Sequence, residues 1–154
     1  MRAAIARAEI ISGMAVTLRT AEHADVEQLL AFWKRAAENT DRHDTAVAVT
    51  ALLARDPEAL LLAVDGDEIV GSLIAGWDGW RCHLYRFAVD PDRRRQGIGR
   101  MLLDAAERRF AAFGGQRAGA MVLDDNDLAH AAWSAAGYER QPQWSRWVKP
   151  LTAP

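Results

Sequence analysis

Several things are scarce in this sequence, and each scarcity excludes a class of protein. One cysteine, Cys82, occurs in 154 residues, so no intrachain disulfide can form and a disulfide-stapled scaffold is excluded. The four histidines, His23, His43, His83 and His130, are scattered without ligand spacing, so no metal site is expected. No apolar run approaches the roughly 18 residues of a spanning helix; the longest clear one, residues 59–64, has the length of a strand. Neither sign of charge is in large excess: 19 Lys+Arg face 21 Asp+Glu, a net charge of -2. That balance argues against a chain that holds nucleic acid by bulk charge. With no signal peptide in view, the expectation is a cytoplasmic protein with no membrane partner.

What is present is an ordinary globular composition. Half the residues are apolar and 26% are charged, enough for one domain with a substantial core. Residues 1–13 carry no motif and are expected to be an extension. Met14 is an alternative start, residues 14–149 a single domain, and residues 150–154 a tail.

Periodicity predicts a strand over 15–20 and a helix over 25–37 with Val26, Leu29, Leu30 and Trp33 on one stripe. A second helix is expected over 45–55, ended by Asp56-Pro57. Strands follow over 60–64, 69–77 and 80–89, the last two joined through Asp78-Gly79, a two-residue hairpin signal. A long helix is expected over 97–113, closed by Gly114-Gly115. A strand over 118–123, a short helix after Asn126 ending before Gly137, and a last strand over 144–148 complete the pattern. The order β-α-α-β-β-β-α-β-α-β is that of an α+β domain. Its mixed sheet is antiparallel at the N-terminal side, has one β-α-β crossover, and carries helices on both faces.

Chemistry concentrates in residues 87–100, Phe-Ala-Val-Asp-Pro-Asp-Arg-Arg-Arg-Gln-Gly-Ile-Gly-Arg. A strand runs into a basic, glycine-containing loop and then a helix start, where N–H groups carry partial positive charge and suit an anion. A Walker loop is excluded because Gly-Lys-Ser/Thr is absent, and a dinucleotide fingerprint because position 102 is Leu102 rather than glycine.

The segment Arg94-Arg95-Gln96-Gly97-Ile98-Gly99 resembles the Arg/Gln-x-x-Gly-x-Gly/Ala signature of the GNAT superfamily, the acyl-CoA-dependent N-acyltransferases. The Phe-Ala-Val-Asp-Pro lead-in, the amphipathic helix that follows, and Asn126-x-x-Ala129 running to Gly137-Tyr138 extend the likeness over about residues 14–149. The resemblance implies a GNAT-like fold and acetyl transfer from acetyl-CoA to a primary amine, small molecule or peptide, by direct attack in a ternary complex. A homodimer is compatible with it. A non-catalytic acyl-CoA sensor or partner-binding domain on the same scaffold is the alternative.

The resemblance also assigns roles. The amides of Arg95, Gln96, Gly97, Ile98, Gly99 and Arg100 would hold the CoA pyrophosphate, with Arg93, Arg94 or Arg95 against the phosphates. Phe87 and Val89 would pair their backbones with the pantetheine arm, and Asn126 would bond near it, a role that can coexist with helix capping. A backbone N–H near Phe87 would face the oxyanion. Many relatives place an acidic tyrosine seven residues after that asparagine; here the position holds Trp133. Tyr85 and Tyr138 are the remaining tyrosines; Tyr138 sits where relatives carry a core aromatic, and Tyr85 is the acid candidate, with packing or an acceptor-pocket wall as its other reading. His83 stands six residues before Val89, the base position of several relatives; a structural hydrogen bond is its other reading. Alternation places His83, Tyr85, Phe87 and Val89 on one face unless a bulge intervenes, and Cys82 opposite. Trp33, Trp77 and Trp80 are candidates for acceptor-pocket walls or for core, and Glu38, Asp41 and Asp78 for contacts to a cationic amine.

Overall fold

A computed structural model describes residues 15–37 and 44–152 of the chain. The expectations for residues 1–13 and Met14, and for Glu38 and Asp41, therefore lie outside the described residues. The chain divides into two compact units, Met1–Met121 and Val122–Pro154.

The first unit holds a five-stranded sheet in the order β1-β2-β3-β4-β5: β1 (Val16–Thr20), β2 (Leu60–Asp65), β3 (Glu68–Trp77), β4 (Cys82–Val89) and β5 (Ala118–Ala120). The first four pair antiparallel in sequence order, and β4 pairs parallel with β5. A parallel neighbour requires a crossover, and α3 (Ile98–Ala112) supplies it. The expected α+β architecture and mixed sheet are thus what the chain forms.

Helices α1 (Val26–Ala36) and α2 (Ala46–Arg55) cover one face of the sheet. Val26, Leu29, Phe32, Trp33 and Ala36 of α1 are buried against Leu60, Leu62, Val64 and Ala88, the stripe that a 3.6-residue period places on one side. Helix α3 covers the other face. A Cβ at Gly71 would lie 2.9 Å from Ile98 and 3.0 Å from Leu102, so only glycine lets this helix sit so close to β3. The next residue, Ser72, points the opposite way and accepts a hydrogen bond from the indole N–H of Trp33 at 2.8 Å. Leu60 to Val64 are all buried because β2 is covered on both faces, which explains its unbroken apolar run.

Two boundaries differ from expectation by more than one residue. The β3–β4 connection has four residues, since Trp77 pairs with Cys82. Asp78 makes it so: its Oδ1 accepts the N–H groups of Trp80 and Arg81 at 2.8 and 2.6 Å, a side-chain turn that absorbs Trp80 and Arg81 from the expected strand. Strand β5 stops at Ala120 rather than continuing to Leu123.

The expected strand over 144–148 does not form. Apolar residues give a segment the capacity to pair, but a strand exists only as part of a ladder. Pro142 and Pro150 flank the segment and lack N–H donors. Trp144, Trp147 and Val148 are exposed.

The second unit contains α4 (Asp127–Ala135). Asn126 caps it by accepting the Ala129 N–H at 3.0 Å. Gly137, at φ +88°, ends it, and Trp133 packs edge-on against Tyr138 with ring centres 4.9 Å apart.

Candidate active site at the β4–α3 junction

Strand β4 does not alternate regularly. Its pairing with β3 shifts register between Ser72 and Ile74, and Arg86 lies in the left-handed region at φ 49°. An L residue there is held against a preference of about 1–2 kcal/mol. The result is a β-bulge at Arg86, and it overturns the one-face expectation for His83, Tyr85, Phe87 and Val89. Before the bulge, Tyr85 pairs with Ile74 and His83 with Gly76, and Ile74 packs in the α1–α2 core. After it, Val89 pairs with Gly71, which faces α3. A Cβ on Gly99 of α3 would meet Phe87 at 3.0 Å and Val89 at 3.6 Å. His83 and Tyr85 therefore face the α1–α2 side, and Phe87 and Val89 the α3 side. An extra residue in one strand inverts every side chain beyond it.

The loop between β4 and α3 is anchored at its entrance. Asp90 is nearly buried, accepts the Asp92 N–H at 3.0 Å, and pairs with Arg35 at 2.7 Å. Burial opposes its ionisation, but the Asp92 N–H and Arg35 outweigh it and hold the carboxyl below its ordinary pKa. Arg93 is committed to Asp65 at 2.5 Å, which takes it out of the phosphate role considered from sequence. Arg94 and Arg95 remain exposed, and among the described residues neither pairs with an acid.

Two further left-handed residues shape the loop: Arg95 at φ 62° and Gly97 at φ +82°. Gly97 is the N-cap of α3 and offers no capping side chain, so the helix start presents backbone N–H groups rather than a capped end. Gly99, two residues further, keeps the approach to Phe87 open. Arg100 pairs with Asp104 along the helix at 2.9 Å. Beyond Leu84 the ladder to β5 no longer accompanies β4.

These features fit an extended, anionic ligand such as an acyl-CoA. The helix start and exposed arginines suit its pyrophosphate. The small residues Gly97 and Gly99 admit it closely, and the stretch of β4 past Leu84 suits an arm lying strand-like beside it.

On the α1–α2 side, His83 is half exposed. Its Nε2 lies 3.4 Å from Asp78 Oδ2, and its ring centre 6.0 Å from that of Tyr85. The Arg81 and Trp80 N–H groups, joined by His83, hold the Asp78 carboxyl below its ordinary pKa. Cys82 faces away from His83, as expected, and is buried; burial pushes its thiol pKa up.

Of the three tryptophans, Trp33 is core. Trp77 stacks on Phe113 with ring centres 5.8 Å apart. Trp80 is exposed at the hairpin tip beneath Arg81. Asn126 and Trp133 lie in the second unit.

The feature that sequence reasoning missed is Arg86 itself. A faint signal was available: in a regular strand, Arg86 would share the buried face of Cys82, Leu84 and Ala88.

Known proteins resemble this chain in sequence and in fold. The family model described as acetyltransferase (GNAT) family matches residues 23–138. An acetyltransferase of Sodalis glossinidius is 32% identical over 124 residues, covering 80% of this chain and 87% of that one. Ard1 from Thermoplasma volcanium shares the fold with a TM-score of 0.71 at 23% identity, over 80% of this chain and 82% of that one. AAC(6')-Iy, solved with a CoA-linked bisubstrate analogue, shares it with a TM-score of 0.70 at 16% identity, over 88% and 99%. The chain belongs to the GNAT acetyltransferase family. It is an acyl-CoA-dependent acetyltransferase.

Proposed function

We propose that the protein transfers the acetyl group of acetyl-CoA to a primary amine by direct attack in a ternary complex. The observation that carries this reading is the bulge at Arg86. It turns one stretch of β4 toward the phosphate-suited start of α3 and the preceding stretch, with His83 and Tyr85, toward the opposite face. A ligand lying along β4 from the α3 side meets an amine from the α1–α2 side where the strand changes face.

Acetyl-CoA supplies an activated carbonyl as a thioester. The amides from Arg95 to Arg100, with the exposed Arg94 and Arg95, bind its pyrophosphate, and Phe87 and Val89 align its pantetheine arm by backbone pairing. Holding both reactants in register replaces a bimolecular encounter. The amine must be neutral to attack. At pH 7 about one lysine side chain in 2,500 is neutral, against about one N-terminal amine in six. His83 accepts the amine proton directly or through water, Asp78 being the acid that faces its Nε2. Tyr85 stands beside it as the candidate acid. Thiols ionise near pKa 8.5, so CoA leaves as thiolate without a strong acid, and Trp133 in place of the usual tyrosine is tolerable. Asn126 keeps its capping bond to the Ala129 N–H.

Calorimetry with acetyl-CoA, followed by time-dependent CoA release with a panel of amines, tests the proposal. Binding and amine-dependent release are expected; binding without release from any amine would favour a sensor. Gly97→Val should weaken acetyl-CoA binding sharply, because a branched side chain crowds the phosphate and resists φ +82°. Unchanged affinity in a folded variant would remove the pyrophosphate from this loop.

A further inference from the structure

The crossing point of β4 is braced by residues far apart in sequence. Arg86 donates through Nε to Asp44 Oδ1 at 2.9 Å, and its Nη2 lies 2.7 Å from Asp44 Oδ2. The pair thus joins one hydrogen bond to a close ion-pair contact, and both side chains are largely buried, at 16% and 17% exposure. A charge-assisted hydrogen bond of this kind fixes direction as well as distance. Asp44 stands just before α2, whose N-cap is Thr45. The other end of the residue is held too. The Arg86 carbonyl accepts the Ser72 hydroxyl at 2.9 Å, and that hydroxyl accepts the Trp33 indole N–H at 2.8 Å. The guanidinium also lies 5.8 Å from the Trp33 ring centre.

An arginine at φ 49° inside a strand has no local reason to stay there. Glycine would occupy the position without strain. The arginine is kept in place by the bonds to its two ends, and those bonds tie α1 and α2 to the one residue where β4 changes face.

We propose that Asp44, Arg86 and Ser72 form a strut that fixes this crossing, which makes Asp44 and Arg86 positioning residues for acyl transfer. The strut links the face assigned to the amine with the strand assigned to the thioester. It rests on the acetyl-transfer reading for its functional consequence, but its geometry is independent of His83. It holds the acyl group still; the phosphate end of the ligand, on the α3 side, is left to the loop.

Two variants separate the strut from simple folding. Asp44→Asn keeps size and removes the charge that grips Arg86. Arg86→Gly removes the grip and the backbone strain together, so the bulge itself can persist. The readouts are thermal midpoint, CoA affinity by calorimetry, and the thioester carbonyl band of bound, isotope-labelled acetyl-CoA by difference infrared spectroscopy.

In the wild type, a single narrow carbonyl band shifted from its free position is expected. Both variants should bind CoA, which lacks the acetyl group, as the wild type does. Their thioester band should broaden and move back toward the free value. Arg86→Lys, which keeps the charge with only one contact, should fall between. A wild-type band in folded Asp44→Asn and Arg86→Gly would overturn the strut and leave the acetyl-transfer reading standing. Failure of the wild type to bind acetyl-CoA would overturn that reading and the strut's role with it.

Discussion

His83 is the side chain proposed as the general base. It sits on the α1–α2 face, half exposed, with Asp78 3.4 Å from its Nε2. The β3–β4 turn holds that carboxylate through the Trp80 and Arg81 N–H groups, so its second oxygen has a fixed direction. When Nε2 carries the proton toward Asp78, Nδ1 is the nitrogen able to accept another. His83→Ala should lower turnover by about 10²–10⁴-fold, the usual share of general base catalysis, with acetyl-CoA affinity nearly unchanged. Wild-type turnover in the variant would return the histidine to a structural role. Alternation placed His83 correctly relative to Cys82 but wrongly relative to Phe87, because the rule holds only between bulges. The residue that breaks it is held by Asp44, 42 positions away, and no local window contains that information.

Among the elements, the two ends of the molecule's helices give separate predictions. Asp25 precedes α1 and is gripped by both Arg19 amino groups at 2.7 Å, while it accepts the Glu22 N–H at 2.7 Å. The Arg19 hydrogen bonds, opposed by partial burial, hold its carboxyl below the ordinary value. A lowered folded-state pKa contributes stability that is full above the unfolded carboxyl pKa of about 3.9 and is lost as pH falls through the folded value. Denaturation midpoints should therefore fall in acid below that point, and Asp25→Asn should be less stable near neutrality with a flatter acid limb. An unchanged acid limb would show that other carboxylates govern it.

At the far end of α3, a Cβ on Gly115 would collide with Cys82 Sγ and lie 2.9 Å from the Phe110 carbonyl oxygen. Gly115→Ala should cost about 1–3 kcal/mol by overpacking. Adding Cys82→Ala should recover part of that loss, since the backbone clash remains, and chemical denaturation of the double variant reads the coupling. Additive losses would mean that the helix end shifts away instead. These elements were legible because their signals are local: the wholly apolar run of β2, the period of α1, the paired glycines after α3. The segment from Trp144 to Val148 was not, since its apolar residues do not specify a partner.

At the scale of the whole molecule, the bulge in the fourth strand bears on how the two substrates of the proposed reaction meet. The helix start and glycines that suit the nucleotide end lie on the α3 side, while His83 and Tyr85 lie on the other. Two ligands approaching from opposite faces can be held together, and neither needs to leave before the other arrives. A covalent relay would require a nucleophile at the crossing. Cys82 is buried, points to the α3 face, and has a thiol made less acidic by that burial, so little thiolate forms. Initial rates measured against both substrates should therefore give intersecting double-reciprocal lines, the pattern of a ternary complex. Acetyl-CoA incubated with the protein alone should leave Cys82 unmodified by mass spectrometry. Parallel lines, with an acetyl adduct that an added amine discharges, would replace direct attack by a two-step transfer through the residue that carries the adduct.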